Sequence, residues 1–244
     1  MRKRKLVGVL GAILFSIGVL LAIVLIGISV WADLEAVLFN PQPRQFKPFR
    51  GLRCPIVMTT EETRTIRARF KNTLDESTEF FIRAYISHGY VTLRREVITE
   101  LPLDPGEVEV VEWAIDKEDA AFERLVLFRM TARGAYPLPN RQATCGVLMV
   151  DMPSLTGRQI VTILLVGGLL CMVAGGALWL TTNPHVLDLQ VQVTRAMVFL
   201  TLSTLAGLLT SLLGWWVPGA IFLVVTVLAI GVIIGHFANP DTSS

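Results

Sequence analysis

Charge is scarce in this chain. Only 17% of its 244 residues are Asp, Glu, Lys or Arg, against roughly a quarter in a soluble globular domain. The two signs nearly cancel, 22 basic against 20 acidic. That excludes a strongly basic nucleic-acid binder and an acidic tail protein. Three cysteines are too few for a disulfide-dense scaffold, and they lack zinc-finger spacing. There is no G-x-S-x-G elbow, no H-E-x-x-H pair, no P-loop and no G-x-G-x-x-G, so no nucleophile, zinc or nucleotide chemistry is selected. The expectation is a non-enzymatic protein with no cofactor.

What is abundant is apolar sequence, gathered in four runs. Leu6 to Val30 is 25 residues without a charge, enough at about 1.5 Å per residue to cross a hydrocarbon core of roughly 30 Å. Ile160 to Leu180, Ala196 to Leu213 and Gly219 to Gly235 follow. Gly214-Trp215-Trp216-Val217-Pro218 separates the last two and reads as a tight turn, with tryptophans suited to a membrane–water interface. The spacing predicts a first transmembrane helix within 1–31 and others near 159–181, 190–213 and 218–236. Asn183-Pro184 reads as the cap and first position of the third. The first run exceeds the ~7–15 residues of a signal h-region, and no A-x-A site follows, so it is read as an uncleaved anchor.

Met1-Arg2-Lys3-Arg4-Lys5 places the N-terminus in the cytoplasm by the positive-inside rule. Residues 32–157 then lie outside, both termini inside, and the protein sits in a plasma or inner membrane. Residues 158–244 carry the remaining helices and a short cytoplasmic tail.

The outer segment opens with Asn40 to Pro48, rich in proline and expected to be extended and stiff. Alternation follows. Ile66, Ala68 and Phe70 share one face, with Arg67, Arg69 and Lys71 on the other, the pattern of a half-buried strand. Further strands are expected at 78–87, 90–99, 107–115, 124–132 and 143–150, with a short helical stretch at 116–123. Short strands between turn signals predict an antiparallel β-sandwich between helices 1 and 2. Phe70-Lys71-Asn72-Thr73 and the turn Leu103-Asp104-Pro105-Gly106-Glu107, feeding Val110-Val111-Glu112-Trp113, resemble immunoglobulin-like sandwiches of bacterial surfaces. The resemblance implies a sandwich in an extracytoplasmic setting and names no ligand. The four-helix plan with a large first outer segment is similar to that of claudins, but the W-x-x-W-C-C signature is absent and the second outer loop is only a turn.

Cys54 and Cys145 flank the outer domain and meet an oxidising compartment. A disulfide closing a loop of about 90 residues contributes roughly 4–5 kcal/mol in the chain-entropy model; two inert buried thiols are the alternative. Cys171 falls inside a helix.

Candidate contact residues are few. His88-Gly89-Tyr90 and Tyr136-Pro137-Leu138 are uncharged or aromatic loop segments, expected at a similar end of the sandwich and suited to partner contact. His185 and His236 share the inner membrane face, the placement of a haem or pigment ligand pair or of ordinary interfacial residues. Gly167, Cys171 and Gly175, Ser203, Gly207 and Ser211, and Gly231 with Gly235 recur at four-residue spacing, which lets helices approach closely. They serve packing within this bundle or docking onto another membrane subunit. No helix core carries an ionisable residue, which disfavours a coupled transporter.

The function expected is an accessory or structural subunit of a membrane complex, its outer sandwich making protein–protein or surface contacts. Its partners are the bilayer and another membrane or surface protein or a second copy, not nucleic acid. A channel or transporter component and a haem- or pigment-binding electron-transfer subunit stay open as alternatives.

Overall fold

The computed structural model describes residues 2–39, 46–134, 136, 138–182 and 188–238. The chain divides into two compact units, Met1–Val30 with Val161–Ser244, and Trp31–Ile160.

Four helices, α1 (Arg2–Leu38), α2 (Gly157–Thr182), α3 (Asp188–Leu212) and α4 (Trp216–Ala238), supply the first unit. Each contains a span long and apolar enough to cross a membrane: Leu6–Leu38, Gly157–Thr182, Gln192–Leu212 and Trp216–Gly235. Pro218 falls in the first turn of α4, where its missing N–H has no helical partner to lose. Gly214, at φ +72°, ends α3. Its N–H reaches Ser211 O at 3.0 Å and that of Trp215 reaches Thr210 O at 2.9 Å, satisfying the last carbonyls of the helix.

Small residues decide where these helices touch. Gly18 of α1 faces the backbone of Gly168 and Met172 in α2, and a Cβ there would lie 2.6 Å from Gly168 O. Gly11 meets Gly175 in the same way, with its would-be Cβ 2.9 Å from Gly175 O. Along α3, Ser203 Oγ and Thr226 Oγ1 of α4 share a 2.8 Å hydrogen bond. Gly207 faces Ile26 and Phe222, and Ser211 lies beside Gly219. The seams use only part of the expected stripes. Among the described residues, Gly167, Gly231 and Gly235 have no heavy atom within 4 Å of a would-be Cβ, and Gly168, one position along, takes the place expected for Gly167. Adjacent positions on a helix of 3.6 residues per turn point about 100° away from each other, so a one-residue error removes a glycine from the seam.

The described residues of the second unit form ten strands: β1 (Lys47–Pro48), β2 (Leu52–Arg53), β3 (Val57–Thr59), β4 (Arg64–Lys71), β5 (Thr78–His88), β6 (Tyr90–Leu103), β7 (Val108–Ile115), β8 (Ala120–Ala121), β9 (Leu125–Gly134) and β10 (Arg141–Val150). One sheet runs β1-β10-β9-β5-β6, with β3 also on β10 and β8 on β9; the other runs β2-β4-β7. They share one core, in which Ile66, Phe70 and Trp113 meet Ile82, Phe128 and Val147. Trp113 and Phe128 approach to 5.2 Å between ring centroids.

The expectation of a purely antiparallel arrangement is corrected. β1 and β3 pair parallel to β10, at Lys47↔Arg141 and Leu148↔Val57. The lead-in is therefore not only a linker. Its chain passes from the larger sheet at β1 to the smaller at β2 and back at β3, covering the backbone groups of β10 that an edge strand would leave bare. Cys54, just past β2, is bonded to Cys145 in β10 with a Cα–Cα distance of 6.5 Å. Glu62 then ties the start of α2 to this unit, its carboxylate accepting from the N–H groups of Thr59 and Gly157, both at 2.8 Å.

Helix α1 continues past the expected boundary at residue 31 to Leu38. No Gly or Pro interrupts Trp31 to Phe39, and Ala32, Ala36 and Phe39 are all buried at helical spacing. They cover the outer face of the larger sheet, so β9 is buried on both sides: Val126, Phe128 and Met130 in the shared core, Leu127, Arg129 and Thr131 on the other face. Leu127 packs with Ala36 and Phe39. Arg129 Nη2 donates to Val37 O at 2.8 Å, placing a cation against the orphan carbonyls and negative end of α1. Burial lowers the Arg129 pKa from the usual guanidinium range. Gly146 N–H donates to Asp33 Oδ1 at 3.2 Å. The backbone of Ala32 fills the space in which a side chain at Gly146 would sit.

Gly146→Ala is accordingly expected to destabilise the protein by about 1–3 kcal/mol, the usual cost of overpacking. Gly176→Ala, where a Cβ meets nothing within 4 Å, should be neutral or stabilising, since Ala outranks Gly in a helix. Denaturation of the two variants in detergent measures the contrast; equal stability would show that the end of α1 does not lie on β10.

Candidate functional site

The two loops chosen from sequence lie at opposite ends of the larger sheet, not at a similar end. The reason is strand direction. β5 pairs antiparallel with β9, with Phe80↔Gly134 and Ile86↔Phe128, so the turn after β5 lies near the start of β9 and the turn after β9 near the start of β5. Within the second turn, Tyr136 is 97% exposed. Leu138 folds back against the core, and Pro137 lies outside the described residues.

The first turn is the more organised. His88 and Tyr90 close the β5–β6 hairpin across Gly89 at φ +66°, a conformation that glycine adopts without strain. Gly89 N–H reaches Glu118 O at 3.0 Å, and Phe122 N–H reaches Gly89 O at 2.9 Å. The hairpin is thereby hydrogen-bonded to the segment between β7 and β9, which contains a 3₁₀ turn at Lys117–Asp119. Tyr90 and Phe122 meet edge-to-face at 6.0 Å. Both stay exposed, at 60% and 61%.

Phe122 and Glu123 hold φ of +52° and +59°. Consecutive non-glycine residues in the left-handed region cost roughly 1–2 kcal/mol each, and the surroundings hold them there. Ser87 Oγ donates to Asp119 O at 2.6 Å and accepts from Leu127 N at 2.9 Å. The Asp119 carboxylate takes Arg95 Nη2 at 2.8 Å and Asp116 N–H at 3.2 Å, while Asp116 caps the 3₁₀ turn. Arg95 also donates to Ala114 O at 3.0 Å. A buried network with its partners in place fixes one backbone geometry. The result is a rigid platform with two aromatic rings pointing to solvent.

The sequence singles out His88, Gly89 and Tyr90 as candidates but not Phe122 beside them, since nothing in Ala121-Phe122-Glu123 announces a left-handed turn. His88 is exposed at the end of β5. His185 lies outside the described residues, and of His236 only the backbone, within α4, is described. Among the described residues no group of three or more His, Cys, Asp or Glu converges as metal ligands would.

No family model matches the chain, and no curated protein does. Solved structures share fragments of its fold at low similarity. Bacteroides uniformis beta-glucuronidase matches at 17% identity with a TM-score of 0.30, covering 37% of this chain and 12% of its own. A chaperone–tip adhesion subunit pre-assembly complex from archaic chaperone-usher pili of Acinetobacter baumannii matches at 10% identity and a TM-score of 0.26, covering 43% of this chain and 60% of that chain. Likenesses this distant carry no argument about function.

Burial raises the Asp119 pKa above its ordinary 3.8, with Arg95 opposing the shift. The folded state therefore holds this proton more tightly than the unfolded chain. The resulting stabilisation is complete below the ordinary carboxylate value and is lost as pH rises through the folded one. Asp119→Asn should remove that component, so the difference in unfolding free energy between variant and parent should change with pH across this window. A difference that is flat with pH would contradict the shift.

Proposed function

We propose that this chain is a non-enzymatic, multi-pass membrane protein that acts by contact, using its β domain to hold another protein. The carrying observation is the exposed Tyr90–Phe122 pair on a strained, internally braced turn. Left-handed non-glycine residues concentrate at binding and switch sites. Aromatic anchors presented on a rigid support are the usual centres of binding energy.

The topology proposed has both termini in the cytoplasm and residues 32–157 outside. The basic N-terminus supports it through the positive-inside rule, and the Cys54–Cys145 bond supports it because disulfides persist in oxidising compartments. We read the paired sheets as a variant of the immunoglobulin-like sandwich. The common core with Trp113 at its centre favours that reading, and the parallel strands on β10 are where it departs.

The test is affinity purification of the full chain from its native membrane in mild detergent, compared with Phe122→Ala and Tyr90→Ala. Loss of an aromatic hot spot costs about 2 kcal/mol or more, roughly a thirtyfold loss of affinity. A stoichiometric partner of the parent protein should fall away from both variants, while their melting temperatures hold because both side chains are exposed. Full recovery of the partner by both variants would remove the assignment of this turn.

A further inference from the structure

The larger sheet ends at β6, whose outer edge carries no strand among the described residues. We propose that this edge is the contact between two copies of the chain, which join antiparallel, β6 to β6, across a twofold axis at Val97. The proposal does not use the Tyr90–Phe122 pair, and its failure would leave that assignment standing.

β6 is 14 residues long, beyond the roughly 3–10 of most strands. A row of unpaired N–H and C=O groups along such an edge is a template for a further strand. Pro102, opposite Glu79 of β5, shows which groups are bare. Proline has no N–H to give to a ladder, so its nitrogen faces the open side. In an antiparallel ladder, alternate residues turn both backbone groups to the same side. Arg94, Glu96, Ile98 and Glu100 therefore turn theirs away from β5. Their side chains share a face as well. Leu101 and Leu103 are buried in the shared core and Val97 packs against it, so these four stand on the outer face, where Arg94 lies over the Tyr85 ring at 5.0 Å.

Charge selects the register. Glu96 is taken by Arg83 at 3.0 Å. Arg94 and Glu100 are exposed, and among the described residues neither has an oppositely charged partner within 4.0 Å. They lie symmetrically about Val97. When two β6 strands pair with Val97 opposite Val97, Arg94 of each copy faces Glu100 of the other, giving an ion pair on either side of the axis. Sliding one strand by two residues brings like charges together: Glu96 meets Glu96 in one direction and Glu100 in the other. Charged side chains ordinarily guard an edge against pairing. Here their order admits one self-pairing and opposes its neighbours. The joins of the β domain to its helices lie at the opposite edge, with Ala32 against Gly146 in β10 and Gly157 beside Val57 in β3. A twofold at β6 places them at the far ends of the pair.

The test is sedimentation of the full chain in detergent at concentrations up to about 100 μM. The parent should dimerise. Arg94→Glu and Glu100→Arg should each weaken the dimer at least about tenfold, since like charges then face each other on both sides of the axis. Both side chains are exposed, so both variants should fold. Mixed together, they should form a heterodimer of about parental affinity, because one now presents two negative charges and the other two positive. Val97→Cys should give a disulfide-linked dimer on mild oxidation, since residues opposed in such a pair lie about 4.5–5.5 Å apart between Cα atoms. A parent that stays monomeric, a dimer unmoved by both charge reversals, a mixture that associates no better than either variant alone, or a Val97→Cys protein that cross-links no more than the parent would overturn the proposal.

Discussion

The last two turns of α1 lie so close to β10 that no side chain fits at Gly146. That constraint organises the β domain. Because Ala32, Ala36 and Phe39 cover the outer face of β9, this strand has no wet side, and its polar residues must find partners inside the protein. Arg129 does so on the carbonyl of Val37, and on the neighbouring β10 the N–H of Gly146 donates to Asp33. A charge removed from water costs several kcal/mol unless it is paired or hydrogen-bonded, so the seam is stable only when helix and strand are in register. The helix end and the sheet thus specify each other.

The same logic runs outward to the aromatic turn. Leu127, one residue past the shared core on β9, packs under the helix and donates its N–H to Ser87. Ser87 in turn donates to Asp119 O, and Asp119 carries Arg95 and the 3₁₀ turn. Strain at Phe122 and Glu123 is sustained because the segment on either side of them is fixed by this chain of bonds. Asn72 plays a comparable part at the far end. Its side-chain amide donates to the carbonyls of Glu76, Leu103 and Asp104 at 2.9–3.1 Å. It thereby joins the β4–β5 turn to the turn at Asp104-Pro105-Gly106-Glu107, where Gly106 has φ +77°.

Where one face of an element meets a uniform solvent, the sequence is easy to read. Ile66, Ala68 and Phe70 alternate with charges, and β4 lies where that alternation places it. The four long apolar helices were legible from length alone, and Cys54 with Cys145 from count and compartment. Legibility fails where an element is covered twice or where chemistry depends on distant residues. Arg129 and Thr131 look like a solvated face until the helix is laid over them. Asp33 and Glu35 break the apolar run of α1 and so suggest an end, although burial at Ala32, Ala36 and Phe39 keeps the helical period. β1, β2 and β3 are too short to show a pattern and exist because β10 and β4 offer them partners.

Amide hydrogen exchange through residues 31–38 of the full chain tests the central constraint most directly. If the end of α1 belongs to the β domain, those amides should exchange with the same protection as β9 and be released together with it on global unfolding. Exchange at the rate of a frayed helix end, with β9 still protected, would contradict the seam on which this account rests.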